Sequence, residues 1–351
     1  MTARATCRAV RAIIKTIDFS SRKLNILTFA THERYEQNLC KTGHEFYCLN
    51  IGKQWDVDYA EIPENYHIID QIPDYLDFDL ILAHTGCERA QIAHDILSSS
   101  KGLNKNSTGI PIIRHNHVLP DIRYDTGIQI QMNKNTLYDV FSFISRYSMN
   151  QWGFKDGFVV EHGVDTSFWN PGKEKRDNVC LSVVNDWANR DWCCGFNLWK
   201  DLVGIKLGSG TKNNPFKVEL PVRVLGKNPG FSEPAKSINE LRYAYQRSRI
   251  FLNTSLHSPV PTVLLEAMAC GCAIISTANC MIPDIIEHGV NGLISNDPRE
   301  LKSYINILLN DEKLANKLGE NASKTIDTKY NLDRFIKSWN NLFYSTVENH
   351  R

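Results

Sequence analysis

The sequence predicts an α/β protein built as two halves, and three observations carry that prediction. At 351 residues the chain exceeds one typical core. Apolar strand-like runs alternate with helix-like segments from KLNILTFA (23–30) onward. One stretch, residues 255–294, reads in order as loop, helix, strand, loop, helix and turn. Hydrophobic content of 42% and charged content of 23% are those of a soluble globular protein. A net charge of +1 argues against a strongly electrostatic partner, so nucleic acid is not expected. No uninterrupted apolar run approaches the roughly 20 residues that a membrane span requires.

The 10 cysteines include no CxxC pair, which argues against a zinc site, and no other metal site is expected. Several lie inside core elements, where Cys acts as a small hydrophobe. A reducing, cytoplasmic compartment is the simplest reading, with contact at the membrane surface left open. The sequons at Asn106, Asn253 and Asn321 are then coincidental. Residues 1–22 form a basic extension in which Arg4, Arg8, Arg11, Lys15 and Arg22 face the single acid Asp18. A targeting sequence, a membrane-surface helix and a peripheral extension all fit it.

In the first half, KLNILTFA is a buried parallel strand. The following helix, the turn at Gly43 and the strand through Cys48 complete a βαβ unit. FDLILAHTG (78–86) is a strand ending in His84. GIPIIRHNHVLPD (109–121) delivers His115, Asn116 and His117 to a strand's carboxyl end, the edge where open α/β sheets place ligands. Arg114 and Arg123 have two equal readings, binding an anionic acceptor or pairing at the surface. VFSFISRYSMNQWGF (140–154) is a strand and helix; in EHGVDTSFWNP (161–171), Asp165 makes a turn contact and Phe168 packs.

The second half opens on NVCLSVV, after which Arg190 is the only nearby cation. It is either a phosphate ligand or an ion-pair partner of Asp191 or Asp186, and Trp187 and Trp192 either flank a base or pack in the core. FKVELPVRVLGKNPG (216–230) predicts a strand that ends at Gly226 and Lys227. INELRYAYQR and IFLNTS predict a helix and strand that lead to Ser258. Thr262 is expected to cap the run VLLEAM, Gly271 to stop that helix, and Pro283 to start a short helix DIIEH closed by Gly289. Asp297 and Pro298 begin a helix with Leu301, Ile305, Leu308 and Leu309 on one face; Leu332, Phe335, Ile336, Trp339 and Phe343 mark a terminal one. Glu266 interrupts an apolar segment near a helix N-terminus, where a carboxylate beside backbone N–H groups suits a ligand with hydroxyls and phosphates.

LLEAMACGCAIIS followed by IPDIIEHGVNGLI closely resembles the donor-nucleotide motif of the retaining family-4 glycosyltransferases, enzymes of the GT-B fold. KTGHEFYCL resembles the segment after the family's first helix, and EHGVDTSFWNP its interdomain junction. The resemblance implies two Rossmann-like doubly wound domains facing across a cleft, with a C-terminal helix crossing back to the first. The expected division is the basic extension (1–22), an acceptor domain (23–165), a nucleotide-sugar donor domain (166–329) and the crossover helix (330–351).

The implied reaction is metal-independent transfer, with retention, of a sugar from a nucleoside diphosphate sugar to an acceptor hydroxyl, without a further cofactor. The acceptor class is a glycan, a lipid-linked molecule or a small molecule. Glu266 matches the motif's second Glu, which holds the ribose hydroxyls, while Ser258 stands where the first Glu touches the transferred sugar. Arg190 replaces the family's two phosphate-clamping cations, assisted by N–H groups around Pro261, Thr262 and Val263. Backbone near Gly226 and Lys227 is implied to meet the base. His117, and second to it His115, matches a His beside the donor sugar; His115, Arg114 and His84 are expected on the acceptor side. His117, Arg190 and Ser258 are thus the catalytic candidates.

Three departures stand out: Ser258, the reduced clamp, and Ala30, Thr31 and His32 in place of a glycine pair. They motivate a second reading, a catalytically impaired GT-B module that binds a nucleotide or glycan. A nucleotide-sugar epimerase is the third.

Overall fold

A computed structural model describes residues 22–350 except 52, 58, 85–91, 93–94, 96–108, 212–213 and 218; over 206–217 it describes backbone. Most of the basic extension and Asn106 lie outside the described residues. The chain divides into two compact units, the first running to Gly163 and resuming at Asp333, the second spanning Val164–Leu332.

The first unit holds a 7-stranded parallel sheet ordered β3-β2-β1-β4-β5-β6-β7. Its strands are β1 (Asn25–Thr28), β2 (Glu45–Leu49), β3 (Tyr66–Ile69), β4 (Leu80–His84), β5 (Ile112–Asn116), β6 (Val140–Phe143) and β7 (Phe158–Val159). Every residue of β4 and β5 is buried, as expected of central parallel strands covered on both faces. Helices α1 (Glu33–Cys40), α2 (Thr126–Lys134) and α3 (Arg146–Gln151) belong to this unit, the last two capped by Asp125 and Ser145. Leu27, Phe29, Ile81 and Ile112 form part of its core.

The second unit holds a 5-stranded parallel sheet ordered β11-β8-β12-β13-β14. It begins with β8 (Asp177–Val183), the helices α4 (Asp191–Cys194) and α5 (Phe196–Val203), and an antiparallel pair, β9 (Lys206–Thr211) and β10 (Asn214–Lys217). Then come β11 (Val222–Leu225), α6 (Ile238–Arg247), β12 (Ser248–Asn253), α7 (Thr262–Ala269), β13 (Ala273–Ser276), α8 (Ile282–Ile285), β14 (Leu293–Ile294), α9 (Pro298–Asn310) and α10 (Glu312–Lys329). Trp187, Trp199, Ile250 and Ile275 meet in the core with the α9 residues Leu301, Ile305, Leu308 and Leu309. The last helix, α11 (Leu332–His350), returns the chain to the first unit, burying Phe335, Trp339 and Phe343; Leu332 and Ile336 are half-buried.

Three local expectations need correction, and one helix was not expected. The strand expected across 216–225 is two, because Pro221 separates the end of the hairpin from β11. Pro261, not Thr262, is the cap residue of α7, and no side chain caps it. The helix read as DIIEH is IPDI, ending at Ile285, since Ile286 is already extended. Helix α10 was absent from the sequence reading, its apolar face being built of the small residues Ala315, Gly319 and Ala322 beside Leu318 and Ile326.

Candidate functional site

In the second sheet the strand order reverses between β8 and β12, the position at which open α/β sheets bind ligands. The loops leaving β8, β11 and β12 are knitted together there. Asn185 Oδ1 accepts from the Lys227 N–H at 2.9 Å, and the Asp186 N–H donates to the Lys227 carbonyl at 2.9 Å. Asn228 donates to the Val184 carbonyl at 2.8 Å and accepts from the Trp187 N–H at 2.7 Å. Gly226 permits this approach: its φ is +131°, and a Cβ would stand 2.0 Å from the Val184 carbonyl oxygen. The Cys193 carbonyl accepts from the Leu256 and His257 N–H groups at 2.8 and 3.1 Å, anchoring the run into half-buried Ser258.

Arg190 and Lys227 are exposed at these loops. The acids expected to pair with Arg190 are engaged elsewhere: Asp191 accepts from the Asn197 N–H and Nδ2 at 2.7 and 2.6 Å, and Asp186 from Asn189 at 2.7 Å. Arg190 instead donates to the Asn185 carbonyl at 3.4 Å. Helix α7 starts directly after Pro261, and the first-turn N–H groups of Thr262 and Val263 have no use within the helix. One turn further, Glu266 is only 6% exposed, and its Oε2 accepts from the Tyr245 hydroxyl at 3.1 Å. Tyr245 is itself buried against Trp169 and Phe251.

The first sheet reverses between β1 and β4. His84 is in register with His115, and His115 with Ser142, so these side chains stand abreast on one face of the carboxyl edge. His115 Nδ1 lies 2.8 Å from Ser142 Oγ and its Nε2 3.0 Å from the Tyr35 hydroxyl, which accepts from Trp339 Nε1 at 3.2 Å. Ser142 Oγ donates to the Arg114 carbonyl at 3.4 Å and so accepts from His115 Nδ1–H, which leaves His115 Nε2 to accept from the Tyr35 hydroxyl. His84 Nδ1 and His117 Nε2 are 2.8 Å apart. His162 packs edge-on against Tyr35.

Burial, reinforced by neighbouring imidazoles, holds His115 and His117 well below the usual histidine value. Burial likewise pushes His162 down to about 3 and His32 down to about 4, with Arg34 adding to the effect at His32. Near neutral pH these four rings are uncharged hydrogen-bonding groups.

Comparison with known proteins bears on both units. Residues 208–325 match the family model described as Glycosyl transferases group 1. That match lies within the second unit. The N-acetyl-alpha-D-glucosaminyl L-malate synthase of Bacillus anthracis is 31% identical over 87 residues, 24% of this chain and 23% of that protein. The alpha-maltose-1-phosphate synthase of Mycobacterium tuberculosis is 23% identical over 191 residues, 46% of this chain and 49% of that one. The chain thus spans half or less of the length of these curated relatives. Among solved structures, the Anabaena protein HepE in complex with UDP and glucose superposes with a TM-score of 0.63 at 14% identity, covering 90% of this chain and 97% of that one. That likeness extends the GT-B glycosyltransferase fold to the whole chain.

Within the second unit, the loop network brings Arg190, Gly226, Lys227 and Ser258 onto interlocked loops at one sheet edge. Trp187 does not flank a base: it is 1% exposed, and its indole N–H donates to the Cys194 carbonyl. Tyr245 escaped sequence reading; its one signal is helical spacing in INELRYAYQR, which marks a core residue. In the other unit, both readings of Arg114 fail, because it is 2% exposed, donates to the Asn133 carbonyl and lies over the Phe141 ring. Arg123 pairs with Asp121 through two hydrogen bonds of 3.0 and 2.6 Å, the surface reading. His84 and His115, expected on the acceptor side, are buried, whereas His117 is half-buried. Tyr35 and Trp339 were not singled out as site residues, since only folding brings them beside these histidines.

Proposed function

We propose that this chain is a retaining glycosyltransferase that moves a sugar from a nucleoside diphosphate sugar to an acceptor hydroxyl without a metal or further cofactor. The observation that carries this reading is the buried carboxylate of Glu266, held by Tyr245 one turn inside a helix whose first N–H groups are not used within it. A carboxylate so placed accepts from the two ribose hydroxyls, while Thr262 and Val263 offer N–H groups to the diphosphate. Arg190 and Lys227 supply positive charge for the leaving group. Their exposure keeps them hydrated until a phosphate arrives. The leaving phosphate then takes the acceptor's proton on the face from which it departs, so the new bond keeps the old configuration. His117, uncharged, positions the donor sugar by a hydrogen bond.

UDP is the first nucleotide to test, because the fold neighbour HepE was solved with it. The acceptor belongs to the glycan, lipid-linked or small-molecule hydroxyl class. Among the described residues no helix is long and apolar enough to cross a membrane. A cytoplasmic location, with contact at a membrane surface, completes the reading.

The test is ligand-induced melting with UDP, GDP, ADP and their sugar conjugates, followed by product analysis. A shift with one nucleotide, abolished in Glu266→Ala, is the expected outcome, with slow donor hydrolysis in the same sample. No shift with any of them would defeat the donor assignment. A second reading, a module that binds without turnover, draws on Ser258 and on the reduced clamp, beside which Asn185 Oδ1 accepts from the Lys227 backbone N–H. Nucleotide binding with neither transfer nor hydrolysis would favour it.

A further inference from the structure

The histidine cluster contains two groups that the proposed transfer leaves without a task. Glu36 on α1 and His84 at the end of β4 are both 0% exposed. His84 Nε2 lies 3.7 Å from Glu36 Oε1, and His84 Nδ1 lies 2.8 Å from His117 Nε2. The three side chains therefore form a line from a buried carboxylate to the imidazole that follows the last residue of β5. The first distance is too long for a hydrogen bond, yet short enough for charge to bias a proton's position in a buried setting.

The direction of the line follows from proton counting. A contact between two imidazole nitrogens needs one donor and one acceptor, so at least one ring is neutral. A carboxylate opposite His84 Nε2 favours the proton on that nitrogen. Complete burial disfavours an imidazolium, so His84 is assigned the neutral form, with its lone pair on Nδ1, where it accepts. The donor must be His117 Nε2–H, which leaves the His117 lone pair on Nδ1. Tyr35 and His115 meet the His117 ring edge to face, with centroids 4.5 Å away in both cases, and restrict its rotation.

We propose that Glu36 and His84 are positioning residues that hold His117 in its Nε2–H tautomer and fix the orientation of its ring. The proposal rests on the reading above only in giving His117 a role toward the donor sugar. The tautomer itself is a property of the unliganded protein. Among the described residues, the titratable and charged groups facing the cluster include His32, Tyr35, Glu36 and Cys40 from α1, Tyr66 from β3, His84 from β4, His115 from β5, His162 from the segment after β7, and Arg334 from α11.

The test combines a spectroscopic and a kinetic readout on the full chain. Nitrogen-15 NMR of histidine-labelled protein at pH 7, with His117 assigned by its Gln variant, is expected to give a protonated Nε2 and an unprotonated Nδ1. Glu36→Gln, which preserves shape, is expected to mix or reverse that pattern, and Glu36→Asp to restore part of it. In the transfer assay, Glu36→Gln and His84→Gln are expected to lower kcat on the order of 10-fold with KM for the donor little changed. UDP-induced melting should persist in both variants, which separates this effect from misfolding. A protonated Nδ1 in the wild type, or an unaltered tautomer in Glu36→Gln, overturns the proposal. If the wild type transfers no sugar from any donor, the functional reading fails, while the NMR result still decides the tautomer.

Discussion

At the carboxyl edge of the second sheet, the cations Arg190 and Lys227 stand in solvent beside the open N-terminus of α7. At the same edge of the first sheet, histidines are packed among Tyr35, Trp339 and Phe335. The first arrangement suits a ligand that brings its own charge, because hydrated cations and fixed amide dipoles need no rearrangement to receive a phosphate. The second disfavours positive charge on its imidazoles, since burial makes an imidazolium unfavourable and leaves neutral rings that donate or accept.

The difference is open to attack, most strongly through acid. His162 at about 3, and His32 and His44 at about 4, bind protons in the unfolded chain well before the native one. These depressed values mean that stability is fully present above the unfolded histidine value near 6.5. It is lost as pH falls through the native values. The largest expected effect is therefore a loss on the order of 3 kcal/mol for each such buried ring as pH falls from 7 toward 4. Hydrogen exchange should record it as earlier loss of protection in β1, β4 and β5 than in β8, β12 and β13. Equal loss in both units would erase the contrast.

Gly226→Ala comes next. A methyl group 2.0 Å from the Val184 oxygen, on a backbone with φ of +131°, forces the loops after β8 and β11 apart. A cost of about 3 kcal/mol in denaturant unfolding is expected, together with weaker nucleotide binding. Glu266→Ala should reduce affinity for the cognate nucleotide by about 2 kcal/mol in calorimetry, the size of hydrogen bonds to a charged group. Unchanged affinity would remove Glu266 from the site. The smallest effect belongs to Arg190→Ala and Lys227→Ala, each expected to weaken binding by about 1 kcal/mol at low salt, and less as salt rises. Salt-independent losses would mean that these residues act through loop structure rather than charge.

Strand and helix alternation was legible because it depends on local periodicity: LILAH and AIIS are buried throughout as β4 and β13. The boundaries of α7 and α8 were less so, because proline at a helix start suits more than one position of the first turn. The candidates Ser258, Pro261, Thr262, Val263 and Glu266 stood out through one continuous stretch, residues 255–294, in which loop, helix and strand follow one another. Arg114 was misread since its neighbour Asn133 and the Phe141 ring come from later segments.

What the sequence by itself determined was the order of elements and the identity of groups carried on a single loop or helix start, such as Ser258 and Glu266, because short-range chemistry suffices for both. Tertiary structure alone decided the support around them. Tyr245 reaches Glu266 from another helix, Asn185 reaches Lys227 across 42 positions, and Trp339 reaches Tyr35 across 304. Parallel strands are joined by crossovers rather than tight turns, so residues that stand abreast at a sheet edge are far apart in the chain. Their proton positions and burial exist only once the sheet has closed the distance.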